Sequence, residues 1–326
     1  MQRKNVNNTH AVTVKNKIFV LWDKAGILVA FILLFILFSL FVPYFFTWIN
    51  MIGLALSVAT VGMIACTMLF CLASGDFDLS IESTVAFTGV FTAVIINATG
   101  SIFAGVVIGL TAAGCAGLFN GLIISKLKIN ALITTLATMQ IMRGLGFIVS
   151  KGSAVGIKAP GFYALGTGSF LSIPFPVWIT AVCFLIFGFL LNKTTYGRNT
   201  LAIGGNREAA RLAGIPVDRI KIIIFTTQGL MAGLAGIVLA SRMTSGQPNS
   251  SVGLSLDVIS ACVLGGVSLT GGVGTILGTI VGVLIMGTVQ NAMNLLNIPT
   301  FYQYVVRGII LLLAVVFDQL KQRRYV

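Results

Sequence analysis

Apolar runs dominate this chain, and they come in lengths suited to a bilayer. A helix needs about 20 apolar residues to cross the hydrocarbon layer, and fewer where it is broken or buried in a bundle. Ten such runs can be placed, at 27–46, 52–72, 83–97, 102–124 and 131–150, then at 174–191, 221–243, 255–270, 275–292 and 303–318. The pattern predicts an all-α integral membrane protein of about ten transmembrane helices in two five-helix halves, some helices broken. The first run is too long for a signal-peptide core, and no small-residue cleavage site follows it, so it is read as the first span. That leaves a polar tail at 1–26, a transmembrane region at 27–318 containing a polar loop at 192–220, and a short tail at 319–326. Neither the loop nor the outer stretch from Lys151 to Ile173 is large enough for a separate catalytic domain.

A weak repeat is visible at one constant offset. Gly62 falls on Gly233, Ser74-Gly75 on Ser245-Gly246, Gly100 on Gly271 and Asn120 on Asn291. Five crossings separate the copies, so the second half enters the membrane from the opposite side, which is the inverted-repeat plan of many transporters. Small residues also recur at helix-packing spacing, as Gly117 and Gly121, Gly229 and Gly233, and Gly274, Gly278 and Gly282. Rows of this kind let helix backbones approach closely where lipid supplies no hydrophobic drive for association.

Composition agrees with the pattern. The 326 residues are 57% hydrophobic and 9% charged, too little polar surface to clothe a soluble globule. The net charge of +13 could indicate a nucleic-acid partner, but the placement of the basic residues relative to the spans gives another reading. With the N-terminus inside, five fall in the N-terminal tail (Arg3, Lys4, Lys15, Lys17, Lys24). Lys126 and Lys128, six between Lys193 and Lys221, and Lys321, Arg323 and Arg324 share that side. Only Lys151 and Lys158 land in an outer loop, and Arg143, Arg242 and Arg307 fall within spans near their outer ends. This is the positive-inside bias of a multi-pass protein with both termini cytoplasmic, so no nucleic acid need be invoked. The five cysteines, Cys66, Cys71, Cys115, Cys183 and Cys262, sit in apolar runs without metal spacing and read as small core residues.

Three segments could carry function. The first, Ser74-Gly75-Asp76-Phe77-Asp78-Leu79-Ser80-Ile81-Glu82, places three carboxylates between two apolar runs. It is a helix break lining a cavity or its inner mouth, an ordinary inner turn with Asp78 or Ser80 capping the next helix, or both at once. Its counterpart, Thr244 to Ser251, is polar and uncharged. Together they offer amide, hydroxyl and carboxylate groups suited to a polyhydroxylated solute, and Asp76, Asp78, Glu82, Gln247 and Asn291 are the candidates for lining its path. The third is the inner loop, where Asn206 is a helix N-cap, Glu208 suits the first turn, Ala209 and Ala210 propagate and Gly214 with Pro216 stops the helix. A short helix of this kind, fenced by Arg207 and Arg211, has the form of a docking knob for a partner.

The chain lacks the chemistry of an enzyme. The glycine-rich run Gly265 to Gly274 does not have the GxxxxGK[ST] order of a phosphate loop. The only histidine, His10, lies in the N-terminal tail, so neither a metal site nor a Ser/His/Asp site is expected.

At the inner loop the sequence resembles a known family. Glu208-Ala209-Ala210, three residues, Gly214, nine residues and Ile224 follow the EAA signature of ATP-binding-cassette importer permeases, with Thr226-Thr227 in place of the usual Leu-Pro. The runs LASGDFDLS (72–80), KINALITTLATMQIMRG (128–144), NKTTYGRNTLAIGGNREAARLAGI (192–215), SRMTSGQP (241–248), ACVLGGVSLTGG (261–272) and QYVVRGIILL extend it over nearly the whole chain. They resemble the monosaccharide permeases of the ribose, galactose and arabinose importers, the arabinose type most of all. The resemblance implies a permease in the bacterial inner membrane with no cofactor on this chain, ATP-Mg being bound by a separate ATP-binding subunit. It implies two copies of the permease, and a periplasmic sugar-binding protein that captures the solute, expected to be L-arabinose. It also implies that Asn206, Arg207, Glu208, Ala209, Ala210 and Gly214 contact the ATPase. The competing expectation is an ion-coupled secondary sugar transporter using Asp76, Asp78 or Glu82, which would have no need of a docking helix.

Overall fold

The computed structural model describes residues 26–322. The N-terminal tail with His10 and Arg3 to Lys24 lies outside the described residues, as do Arg323 and Arg324. In chain order the first helices are α1 (Gly26–Phe41), α2 (Trp48–Ala73), α3 (Ile81–Thr99), α4 (Ile102–Lys126) and α5 (Ala131–Ser150). The loop that the basic-residue bias assigns to the outer side, with a 3₁₀ turn at Pro160–Tyr163 and the single turn α6 (Ala164–Thr167), leads to α7 (Phe175–Lys193). Two loop helices follow, α8 (Thr195–Gly205) and α9 (Arg207–Leu212), and then α10 (Val217–Arg242), α11 (Leu254–Leu264), α12 (Ile276–Leu295) and α13 (Thr300–Gln322). Eight of these are long and apolar enough to span a membrane, and α1 and α11 are shorter apolar helices. The expected architecture of about ten membrane helices is thus met.

Turn residues fix the helix starts as their chemistry predicts. Thr47, Ser101, Asn130 and Thr275 each accept a backbone N–H from the first turn of α2, α4, α5 and α12. Two spans are shorter than the sequence suggested. The first ends at Phe41 rather than 46: Pro43 cannot extend a helix, and Phe45 folds back into a buried position against Phe35 and Phe38. The eighth ends at Leu264 rather than 270, where Gly265-Gly266 turns the chain.

The buried centre is built from α2, α3 and α10, while α4, α5, α7 and α13 present broad apolar faces outward. Along α3 the buried hydroxyls of Thr84 and Thr88 donate to carbonyls one turn back, so they carry no unpaired proton into the core. Cys66, Cys71, Cys183 and Cys262 are buried as expected, whereas Cys115 is exposed. The inner stripe of α4 is Gly109, Ala113, Gly117 and Asn120, and Cys115 lies on its opposite side. That stripe crosses α10 so closely that a side chain at Gly117 would strike the Phe225 carbonyl, and one at Gly229 the Ala113 carbonyl. Gly278 and Gly282 likewise admit the Gly265 and Ala261 carbonyls between α12 and α11. These rows therefore mark close helix approaches, except that Gly274, expected in the last row, lies in the turn before α12 and meets only the Val267 and Leu69 side chains.

The repeat holds at the level of elements. Moved by the offset that carries Gly62 onto Gly233, the starts of α2, α3, α4 and α5 fall at 219, 252, 273 and 302, against observed starts at 217, 254, 276 and 300. Packing follows the same rule with the halves exchanged: α10 lies on α3 and α4 of the first half, and α2 lies on α11 and α12 of the second.

The loops gather at two ends. At one, β1 (Val155–Gly156) pairs antiparallel with β4 (Ser245–Gly246), Asn97 bonds the same outer loop, and Asn50 bonds Asn291. A second small pair in that loop is formed by β2 (Ser169–Phe170) and β3 (Ile173–Pro174). At the other end, Lys126 and Lys128 reach Asp218, and the turn after α2 meets α8 and the glycine-rich turn at 265–274. Segments threaded to the same side from charge alone thus come together.

Candidate functional site

Each half contains one interrupted helix pair, at repeat-related positions. Between α2 and α3 the chain is non-helical from Ser74 to Ser80, and between α10 and α11 from Met243 to Gly253. Irregular backbone inside a membrane bundle persists only where its polar groups are satisfied by protein or by water in a cavity. In the first break Asp78 is buried, and its Oδ1 accepts from the Ser80 amide (2.9 Å) and hydroxyl (2.6 Å). Ser80 in turn receives Asn120 Nδ2 (3.0 Å), and Thr138 donates to Asn120 Oδ1 (2.6 Å). This chain of bonds ties the break to α4 and α5. Ser80 occupies the N-cap position of α3 without a side-chain capping bond, so Asp78 orders the turn and neither residue caps the helix.

The network also sets a depth. Asn120 lies six residues before the end of α4, so α3 begins about 9 Å inside that end at 1.5 Å per residue. The start of α11 mirrors it. Gly278 and Gly282 of α12 pack on Gly265 and Ala261, and continuing this antiparallel register puts Leu254 level with Val289, about 9 Å from the other end of α12. The two interrupted helices therefore begin inside the bundle from opposite sides.

Their N-termini meet. Glu82, in the first turn of α3, accepts from the Gly253 amide (2.9 Å) and the Ser255 hydroxyl (3.4 Å), while Ser255 Oγ also donates to the Leu79 carbonyl (2.9 Å). Positive helix ends favour a carboxylate here. Arg143 of α5 pairs with Glu82 (3.4 Å) and donates to the Pro248 and Ser250 carbonyls of the second break (2.9 and 3.1 Å). The second half repeats the device: Asp257 in the first turn of α11 pairs with Arg307 of α13 (2.9 Å), whose Nε donates to Gln290 (2.8 Å). Gln290 itself bonds Gln303. All four charged side chains are largely but not wholly buried, at 14–21% exposure, and each is paired, as charges within a membrane bundle must be.

At the other end lies the loop. Asn206 caps α9 by accepting from the Glu208 and Ala209 amides (3.0 and 2.9 Å). Gly214 ends it at φ +81°, a left-handed conformation in which a Cβ is strained. Ala210 is buried against the bundle, so the outward face consists of Ala209 and Leu212, the latter 84% exposed, with Arg211 pairing back to Glu208. The helix of 195–205 preceding it was not anticipated. Its residue Gly204 presses on the Ala73 carbonyl at the very start of the first break.

The sequence-predicted residues thus separate into groups. Asp78 belongs to the buried network, and Asp76 pairs with Lys221 (2.6 Å). Glu82 joins the two helix N-termini. Gln247 lies in the second break and bonds Ser245 (3.0 Å), and Asn291 joins α12 to Asn50 of α2. Sequence reasoning missed Asp257 and Lys221, and left the partners of Arg143 and Arg307 open. The repeat would not have found Asp257, because its offset carries Glu82 onto Gly253 and Asp257 back onto Ala86.

Residues 50–315 match the family described as branched-chain amino acid transport system / permease component. The chain belongs to this permease family. Several relatives of the permease carry sugar-transport names. It is 63% identical over 303 residues to the L-arabinose transport system permease protein AraH of Escherichia coli (strain K12), covering 93% of this chain and 92% of that protein. It is 57% identical to the L-arabinose ABC transporter permease protein AraH of Azospirillum brasilense, covering 93% and 89%. To the ribose import permease protein RbsC of Bacillus subtilis (strain 168) it is 41% identical, covering 92% and 94%. No solved structure matches the chain. Family membership removes the ion-coupled carrier reading; Asp76 and Glu82 are each paired with a cation, while Asp78 is buried on the Ser80 amide and hydroxyl without one.

Proposed function

We propose that the permease carries L-arabinose across the bacterial inner membrane, driven by ATP hydrolysed on a separate ATP-binding subunit. The observation that carries the sugar is the 63% identity over 93% of the chain to an L-arabinose transport permease. Two copies of the permease would assemble with two ATP-binding subunits, which dock on the exposed face of α9, and a periplasmic binding protein would deliver the sugar to the outer loops. The polar seam where α3 and α11 meet, lined by Glu82, Arg143, Asp257 and Arg307, is the passage. Its paired carboxylates and guanidiniums present acceptors and donors together, the complement of a polyhydroxylated ring. Both termini lie inside, following the basic-residue bias.

The test is reconstitution. Purified permease alone should hydrolyse no ATP, and proteoliposomes holding it with its ATP-binding subunit should import L-arabinose when sugar-loaded binding protein is supplied. ATP hydrolysis by the permease alone, or import that persists without the ATP-binding subunit, would refute this reading.

A further inference from the structure

We propose that the ion pair Lys221–Asp76 is the link that couples the loop helices to the first helix break. This rests on the importer reading above and deepens it. Lys221 is 2% exposed, and its Nζ lies 2.6 Å from Asp76 Oδ2. It stands one turn into α10, directly after the segment Arg207 to Pro216 that ends the loop. Asp76 is the third residue of the break. The other end of the loop grips the same place. Gly204, near the end of α8, abuts the Ala73 carbonyl, Gly272 N donates to that carbonyl at 2.9 Å, and Gly271 lies against Gly204 and the Gly75 amide. The break is thus held from both flanks of the loop, by backbone contact on one side and by a buried charge pair on the other.

The internal repeat argues that the pair serves the loop and not the break. At the repeat offset, Asp76 falls on Gln247, and Lys221 falls back on Asn50. Those counterparts are uncharged and do not bond each other: Asn50 bonds Asn291 and the Phe45 carbonyl, and Gln247 bonds Ser245. The second break therefore keeps its form without an ion pair. The charged version exists only at the end that carries α8 and α9. Burying two charges where neutral groups suffice elsewhere in the same fold makes poor sense as a stabiliser. As a strut it makes sense, because the attraction is strong at short range and neither residue can turn away from the other without exposing an unpaired charge to the interior. Movement of α9 when the ATPase closes would pull the first turn of α10, and through Lys221 shift Asp76, the Asp78–Ser80–Asn120 network and the start of α3. That start carries Glu82.

The experiment uses the complete complex in proteoliposomes with sugar-loaded binding protein, measuring L-arabinose import and ATP hydrolysis on the same samples. Lys221→Met should assemble and hydrolyse ATP within about twofold of the parent, while sugar imported per ATP falls at least about tenfold. The exchanged pair, Lys221→Asp with Asp76→Lys, should recover most of that ratio. A merely structural pair would change abundance and melting temperature without changing the ratio in the molecules that assemble. Import per ATP at parent level in Lys221→Met overturns the proposal, as does an exchanged pair that remains as defective as the single variant. Should Lys221→Met fail to accumulate, the exchanged pair decides alone, and its failure to accumulate or to import overturns the proposal too. Failure of the importer reading is separate and would show in the parent, as an absence of ATP-driven import.

Discussion

Replacing Glu82 tests whether the two interrupted helices are joined as described. Its carboxylate holds Gly253 N at 2.9 Å and Arg143 Nη2 at 3.4 Å, and takes at 3.4 Å a secondary share of the Ser255 hydroxyl, whose shorter bond goes to the Leu79 carbonyl. Hydrogen bonds to a charged group contribute roughly 1.5–3 kcal/mol each, with the two longer contacts at the weak end. Breaking a buried pair from one side costs about 3–5 kcal/mol. Arg143 retains the Pro248 and Ser250 carbonyls, so Glu82→Leu should cost about 3 kcal/mol, near the lower bound. Glu82→Gln keeps an acceptor for Gly253 and should cost about 1–2 kcal/mol. Combining Glu82→Leu with Arg143→Met should cost less than the sum of the two by about 1–2 kcal/mol, because the pair can be lost only once. Average intramembrane hydrogen bonds couple by about 0.6 kcal/mol, so the predicted value stands above that background. Reversible unfolding in mixed micelles measures all four corners of the cycle. A coupling at or below about 0.6 kcal/mol would refute the claim that Glu82 and Arg143 act as one pair.

Gly214→Val forces a β-branched residue into φ +81° and should strain the end of α9 by about 1–2 kcal/mol; sugar uptake and co-purification of the ATP-binding subunit should both drop at unchanged permease abundance, and retention of both would make the segment a mere connector. Gly229→Val drives a side chain into the Ala113 carbonyl, whereas Gly308 has open space around it, so the first should lower abundance and melting temperature sharply and Gly308→Ala should lower neither; equal effects would refute the α4–α10 contact. A cysteine at Lys158 should react with an impermeant maleimide added to intact cells, and one at Arg211 only after the membrane is opened, with the reverse pattern inverting the topology.

The spans were legible because a bilayer imposes length and apolarity on each one, and because the basic residues Lys126, Lys128 and Arg211 sort to one end. Asn206 and Gly214 were legible for a local reason: capping and left-handed backbone each need a particular side chain, or none, at a particular position. What stayed hidden was pairing. Lys221 reads as the inner flank of a span, and nothing around it in sequence names Asp76, which lies in the other half of the chain. Arg143 and Arg307 were visible as costly charges, but their carboxylate partners lie two helices distant, and the carbonyls that Arg143 also reaches lie 105 and 107 residues on. The α8 helix was hidden too, since Thr195 to Gly205 includes Gly197, Gly204 and Gly205, residues of low helix propensity, and gains its stability from packing Ile203 and Gly204 on the bundle.

The repeat bears on mechanism as well as on fold. Two halves of like design, inserted from opposite sides, would have no preferred direction if their breaks were identical. Here they differ in charge. The first break carries Asp76 and Asp78 and is fastened to the loop helices by Lys221 and by Gly204. The second, around Gln247, is fastened to the outer loop by the β1–β4 pair, and the Arg143 guanidinium reaches its carbonyls from α5. Glu82 joins the two, so a displacement delivered to the first break cannot leave the second where it was. In the importer reading proposed above, this differential fastening of two similar elements would supply the asymmetry alternating access needs: force applied at the loop end would reach the first break first, and the second only through Glu82.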